Sequence, residues 1–145
     1  MIILMFYIVT ACLLYTAAII LGAYASRNAN TNLVSAIVNV LASVIPIAVI
    51  AGGFSAKWKA SSTKGLLAAA LGGALIALFT MALNKAYSQE NIAIISPIVF
   101  GGAIALSSIL SFFIFKEKVT PVQGVGLLLV LTGITLIITA KLRTT

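Results

Sequence analysis

Residues 92–140 read IAIISPIVFGGAIALSSILSFFIFKEKVTPVQGVGLLLVLTGITLIITA. Two apolar runs flank a charged hinge, Lys116-Glu117-Lys118-Val119-Thr120, which Pro121 closes. A helix that crosses the hydrocarbon core needs about 20 mostly apolar residues. Each run meets that length, so the stretch reads as a hairpin of two membrane helices, over residues 92–115 and 122–140. Proline at the first helical position is favoured, because its missing N–H would find no partner there. Pro121 therefore marks the start of the second helix. Pro97 falls about a turn inside the first, where it removes a backbone hydrogen bond and predicts a kink.

Outward from the hairpin the same pattern recurs three times, over residues 2–24, 33–54 and 65–86. The expected fold is all-α, with five transmembrane helices, and residues 1–145 read as a single membrane domain. Composition agrees. The chain is 62% hydrophobic and 8% charged, and its mean hydropathy is +1.23. A soluble domain carries roughly a quarter charged residues, so the natural solvent here is lipid. The first run could also be a secretion signal, since Ala23-Tyr24-Ala25 looks like a small-residue cleavage site. It is long for that role and no basic residue precedes it, which favours a retained helix.

Between the runs lie short polar segments. Residues 26–32 (SRNANTN) carry Asn and Ser, which favour turns and helix caps. Residues 55–64 hold Trp58 between Lys57 and Lys59, the composition of an interfacial anchor. Ser88-Gln89-Glu90-Asn91 resembles a weak capping box, with Ser88 as the cap and Glu90 in the first helical turn.

The net charge is +7, but the cations sit in short clusters at the ends of apolar runs. Anionic headgroups attract cations at such places, so the excess does not indicate a nucleic-acid partner. With five crossings, Lys57, Lys59, Lys64, Lys116 and Lys118 share the side of the N-terminus. Arg27, Lys85, Lys141 and Arg143 lie on the other. The positive-inside rule then places the N-terminus in the cytoplasm. Five against four is a small bias, and insertion in both orientations, as an inverted pair, is a second expectation.

Chemistry-bearing motifs are sparse. The chain has no His and two acids, Glu90 and Glu117, so no acid–base dyad or metal set can be assembled. Neither an enzyme, a metal site nor a cofactor is expected. Cys12, the single cysteine, reads as a small packing residue. No run contains an acid, whereas proton-coupled exporters usually carry a carboxylate within the membrane. Proton coupling would need some other group or a partner's residues.

Polar side chains inside the runs are the candidates for a solute path. Ser35, Asn39 and Ser43 fall four residues apart and share a helix face. Thr80 and Asn84 pair in the same way on the third run, Tyr15 lies in the first, and Ser96 precedes Pro97. Asn in mid-membrane is costly without a partner. Two readings stand equally: a hydrogen bond between helices, or the lining of a substrate path. Small residues four apart let backbones approach closely, which makes Gly72, Gly73, Gly101, Gly102, Gly124 and Gly133 candidate packing positions. Glu117 reads either as a group fixing the turn between two lysines or as a gating group.

The run from Asn91 through Ser96-Pro97 to Phe115-Lys116-Glu117-Lys118-Val119-Thr120-Pro121-Val122-Gln123-Gly124, and on to Gly133, resembles the last two helices of an EamA-type repeat. That repeat belongs to the drug/metabolite transporter superfamily. Pro97, Glu117, Gln123, Gly124 and Gly133 occupy the places of its signature, and the likeness is clearest over residues 65–140. The small multidrug resistance family of the same superfamily fits less well, because its essential acid in the first helix has no counterpart here. The resemblance implies a half-transporter in the cell (inner) membrane that moves small metabolites or drug-like solutes by alternating access. Most members carry two repeats, so one repeat implies a homodimer, parallel or antiparallel, or a heterodimer with a related five-helix chain. Membrane lipids and a small-molecule solute are the other expected partners. A non-transporting subunit of a larger complex and a lipid-carrier flippase subunit are the rival expectations.

Overall fold

The computed structural model describes residues 2–143, which are helical apart from short connections. Five helical stretches are long and apolar enough to cross a membrane: Leu4–Asn28, Thr31–Gly53, Thr63–Gln89, Ile92–Ile114 and Pro121–Arg143. All five expected spans are present, with shifted ends. The chain divides into two compact units, residues 1–89 and 90–145.

The first unit holds α1 (Ile2–Asn28), α2 (Thr31–Ile50), the short α3 (Phe54–Lys59) and α4 (Thr63–Gln89). The expected polar break after α1 shrinks to two residues, Ala29 and Asn30. Its turn formers are absorbed into the helix by bonding back one turn. Ser26 Oγ donates to Gly22 O at 2.7 Å and Asn28 Nδ2 donates to Tyr24 O at 2.8 Å. Asn30 then caps α2, its Oδ1 accepting from the backbone of Asn32 at 3.0 Å and Leu33 at 3.2 Å. Such a cap satisfies N–H groups that have no partner inside the helix. The far end of α2 tightens into a 3-10 turn, Ala51–Gly53, where Gly52 departs from helical geometry (ψ 18°). The expected Trp58 loop is partly helical as α3, and Trp58 packs on Phe54 with ring centroids 5.6 Å apart.

The second unit is a helical hairpin. Its first arm is α5 (Ile92–Ser96), one π-helical turn (Pro97–Gly101) and α6 (Gly102–Ile114); its second arm is α7 (Pro121–Arg143). The π turn begins at Pro97, which has no N–H to give to the helix. The Gly102 N–H is shared between the carbonyls of Ile98 and Val99. At the hinge Lys116 adopts a left-handed backbone, φ 55°, just past the last turn of α6, where such a residue commonly ends a helix.

The hinge and the start of α7 interlock. Gln123 Oε1 accepts from Thr120 N at 2.8 Å and from Thr120 Oγ1 at 3.0 Å, while Gln123 N donates to Thr120 Oγ1 at 3.3 Å. This is a capping box on Thr120-Pro121-Val122-Gln123. Thr120→Ala removes one capping oxygen and is expected to cost about 1 kcal/mol. The measurement is denaturation of the purified protein in detergent, with Val122→Ala, which touches no cap, as the control.

The expected capping box at Ser88 does not form. Ser88 lies inside α4 and its Oγ donates to Lys85 O at 2.7 Å. Asn91 is the residue before α5, so Glu90 falls outside the first turn. Glu90 instead accepts from Asn91 N at 2.9 Å and forms an ion pair with Lys141 near the end of α7. The Lys141 ammonium, and then the Asn91 amide, hold the Glu90 carboxyl below its ordinary pKa. A carboxylate with a depressed folded-state pKa stabilises the fold above its unfolded value and loses that contribution as pH falls through the folded value. Glu90→Gln is therefore expected to lower the unfolding midpoint at pH 7. The difference from the parent should close in acid below the carboxylate range. A difference that persists there would mean that the ion pair is not its source.

Candidate functional site

The polar residues of the first three spans meet in one seam. From α2, Asn39 Nδ2 donates to Ser35 O on its own helix and to Thr80 Oγ1 on α4, both at 2.7 Å. The Thr80 hydroxyl passes its own proton to Ala77 O at 2.9 Å. One turn along, Asn84 Nδ2 donates to Ser35 Oγ at 2.9 Å, and Ser35 Oγ donates to Thr31 O at 2.8 Å. Ser35 and Asn84 are buried. Each donor here has an acceptor, and among the described residues no buried side-chain nitrogen or oxygen lacks a partner.

The seam lies within the spans rather than at their rims. Asn39 is eight residues into α2, about 12 Å along the axis at 1.5 Å per residue. Bonds between side chains at such depth hold helices together where lipid gives no hydrophobic drive for association. Beyond the seam, Arg27 Nε donates to Tyr87 O at 3.3 Å, placing a cation on the last turn of α4. A cation is favourable there because the final carbonyls of a helix carry partial negative charge.

A cleft of about 100 Å³ opens beside the seam between α1 and α4, with Tyr15, Gly22, Thr80, Asn84 and Tyr87 in its lining. The structure thus brings Tyr15, Asn39, Thr80 and Asn84 into one neighbourhood, together with Ser35 and Tyr87. Ser43 is not brought to it: its Oγ donates to Val40 O on its own helix at 2.7 Å and the residue is exposed. Ser96 and Pro97 belong to the second unit, at the start of the π turn. Glu117 lies on the hinge, in the lining of a separate cleft between α6 and α7.

The glycines divide sharply. At Gly101 an added Cβ would meet Ile134 Cδ1 at 2.9 Å and Val130 Cγ1 at 3.3 Å, so the π turn and α7 are in close contact there. At Gly72, Gly73, Gly102, Gly124 and Gly133 nothing stands within 4 Å among the described residues. Their faces are open within a single chain. Cys12 is exposed on α1, and no cluster of His, Cys, Asp or Glu that could hold a metal occurs among the described residues.

Apolar spans carrying an internal hydrogen-bonded seam define a multi-pass α-helical membrane protein. Residues 2–139 match the EamA-like transporter family, and the chain belongs to that family. Searches among curated proteins and among solved structures found no match.

Proposed function

We propose that the chain is one protomer of a dimeric transporter that moves small amphipathic or zwitterionic solutes across the cytoplasmic membrane by alternating access. The observation that carries this reading is the family match over almost the whole chain. The mid-membrane seam supports it. Asn39, Thr80 and Asn84 join α2 to α4 by a few directional bonds. Tyr15 brings a further hydroxyl to the adjoining cleft. Directional bonds can be exchanged for bonds to a solute with little net change, which suits helices that must part and rejoin. A path lined by amides and hydroxyls, without charge, favours solutes of low net charge.

The partner is a second copy, parallel or antiparallel, or a related five-helix chain. The open faces at Gly72, Gly73, Gly124 and Gly133 offer close-approach surfaces for it. The N-terminus faces the cytoplasm, by the slight excess of lysine on its side. No chemical transformation is assigned to the protein.

The test is counterflow of a broad panel of labelled metabolites in proteoliposomes. Asn39→Leu together with Thr80→Val is expected to abolish counterflow while the protein still inserts. If the purified chain moves no member of the panel and copurifies with a larger membrane complex, a non-transporting subunit is the better reading. Reporters fused to each terminus fix the orientation.

A further inference from the structure

The second unit contains a larger cleft, about 450 Å³, open along one side between α6 and α7 below the hinge. Its volume falls within the roughly 300–1,000 Å³ of small-molecule sites. The lining is graded from one end to the other. The charged hinge residues Glu117 and Lys118 stand at the mouth, with Gln123 beside them. Ser111 and Ser108 follow one turn apart down α6. Ile104, Leu127 and Val130 form the deep end, and Gly126 leaves space where a side chain would narrow it. Ile104 is seven residues from Ser111, about 10 Å along the helix. The deep end therefore lies at hydrocarbon depth when the mouth is at the membrane surface.

The hydrogen-bonding capacity of this lining is directional. Ser111 Oγ donates to Ser108 O at 3.0 Å, and Ser108 Oγ donates to Ile104 O at 2.8 Å. With their protons committed to the backbone, these hydroxyls offer a ligand only lone pairs. The Glu117 carboxylate likewise only accepts. Gln123 spends its Oε1 on the capping box, which leaves its amide nitrogen as a donor, and Lys118 adds a cation to the same lining. The mouth thus presents acceptors toward a cation with N–H groups and donors toward an anion, above an apolar channel.

We infer that this cleft binds a zwitterionic phospholipid whose headgroup carries a primary ammonium, of the phosphatidylethanolamine class. The ammonium meets Glu117 and the two serine hydroxyls. The phosphate meets Lys118 and Gln123. One acyl chain lies along Ile104, Leu127 and Val130. The bonds to the charged groups are charge-assisted and so are the stronger kind. A choline headgroup has the same net charge but no N–H donor, so it keeps the Coulombic attraction to Glu117 and loses the hydrogen bonds to Glu117 and the serines. The site is separate from the solute path proposed above and does not depend on it.

The test is native mass spectrometry of the full chain in detergent, titrated with dioleoyl-phosphatidylethanolamine, -phosphatidylcholine and -phosphatidylglycerol. One ethanolamine lipid per protomer is expected to bind about ten-fold more tightly than the choline lipid, the factor given by about 1.4 kcal/mol of binding free energy. Glu117→Gln should erase that preference by weakening the ethanolamine lipid more than the choline lipid. Lys118→Ala should weaken both lipids. Both residues are exposed on the hinge, so these variants retain the fold. Gly126→Leu, which fills the channel, should abolish both. Equal affinity for the ethanolamine and choline lipids would overturn the inference, as would a preference that survives Glu117→Gln. Tightest binding of the glycerol lipid would show that Lys118 alone reads an anion, and would also overturn it. Displacement of the lipid by equimolar phosphoethanolamine would place a water-soluble zwitterion in the cleft instead.

Discussion

Gly101→Leu should unfold the hairpin of the second unit more readily than the parent does. At Gly101 the π turn passes so close to α7 that even a first side-chain carbon would stand 2.9 Å from Ile134 Cδ1 and 3.3 Å from Val130 Cγ1. Overpacking of this kind costs typically about 1–3 kcal/mol, because neighbours are forced off their rotamers or the backbones part. The branched chain of leucine cannot avoid both Ile134 and Val130. Alanine is a milder case, since the nearest atom is the mobile end of Ile134, which can turn aside. Gly101→Ala should therefore lose only a fraction of the leucine penalty. Ile134→Val, which deletes that terminal methyl, should restore the alanine variant but not the leucine variant. Denaturation in detergent of the parent, the two Gly101 variants and their combinations with Ile134→Val measures this order. If Gly101→Leu matches the parent, the close approach of the π turn to α7 is wrong.

The contrast between Gly101 and the other glycines shows how far the sequence could be read. The five spans were legible because hydropathy is a property of composition over a window and does not depend on tertiary contacts. The direction in which a small-residue face points is a different matter. Gly72 and Gly73 sit in small-residue pairs just as Gly101 does, yet of the three only Gly101 has a neighbour close enough to crowd a side chain. Around these glycines the spans are apolar on all sides, so no amphipathic stripe shows which small-residue face turns inward.

Helix ends were misjudged for a local reason. Ser26 and Asn28 are turn formers in water, but inside a long apolar helix they bond back to Gly22 O and Tyr24 O and let α1 continue. The Ser88–Asn91 segment carried the look of a cap, while the actual capping box was written in Thr120-Pro121-Val122-Gln123. The Ser/Thr-x-x-Gln spacing there, with proline at the first helical position, was a readable signal for it. In the polar seam, the four-residue spacing of Ser35, Asn39 and Ser43 showed that they share a face. It did not show that this face reaches only Thr80 and Asn84, nor that Ser43 would turn its proton back to Val40 O. Ser35 emerged as the central acceptor because two helices converge on it.

Asn84→Asp should convert the seam into a pH-dependent element. Asn84 is 5% exposed and its neighbours in the seam are neutral. A carboxylate there would lie within the membrane with no cation among its hydrogen-bond partners, and burial favours the neutral acid. In the neutral form the acid O–H can replace Asn84 Nδ2 as the donor to Ser35 Oγ, so the seam survives at low pH. At pH 7 the protein must either hold a buried charge or keep the acid protonated about three pH units above the ordinary aspartate value. At 1.36 kcal/mol per unit the second course costs about 4 kcal/mol, which sets the ceiling on the loss. The sign follows from linkage. The folded-state pKa is raised above the unfolded value, so the variant has its full stability below the unfolded pKa and loses it as pH rises toward the folded one. The variant should match the parent near pH 4 and fall behind it by up to about 1.4 kcal/mol per pH unit above that. Parallel denaturation series of the two proteins between pH 4 and 7 provide the measurement. A pH-independent gap would mean that the carboxylate reaches water, and that Asn84 lines an aqueous path rather than a closed seam.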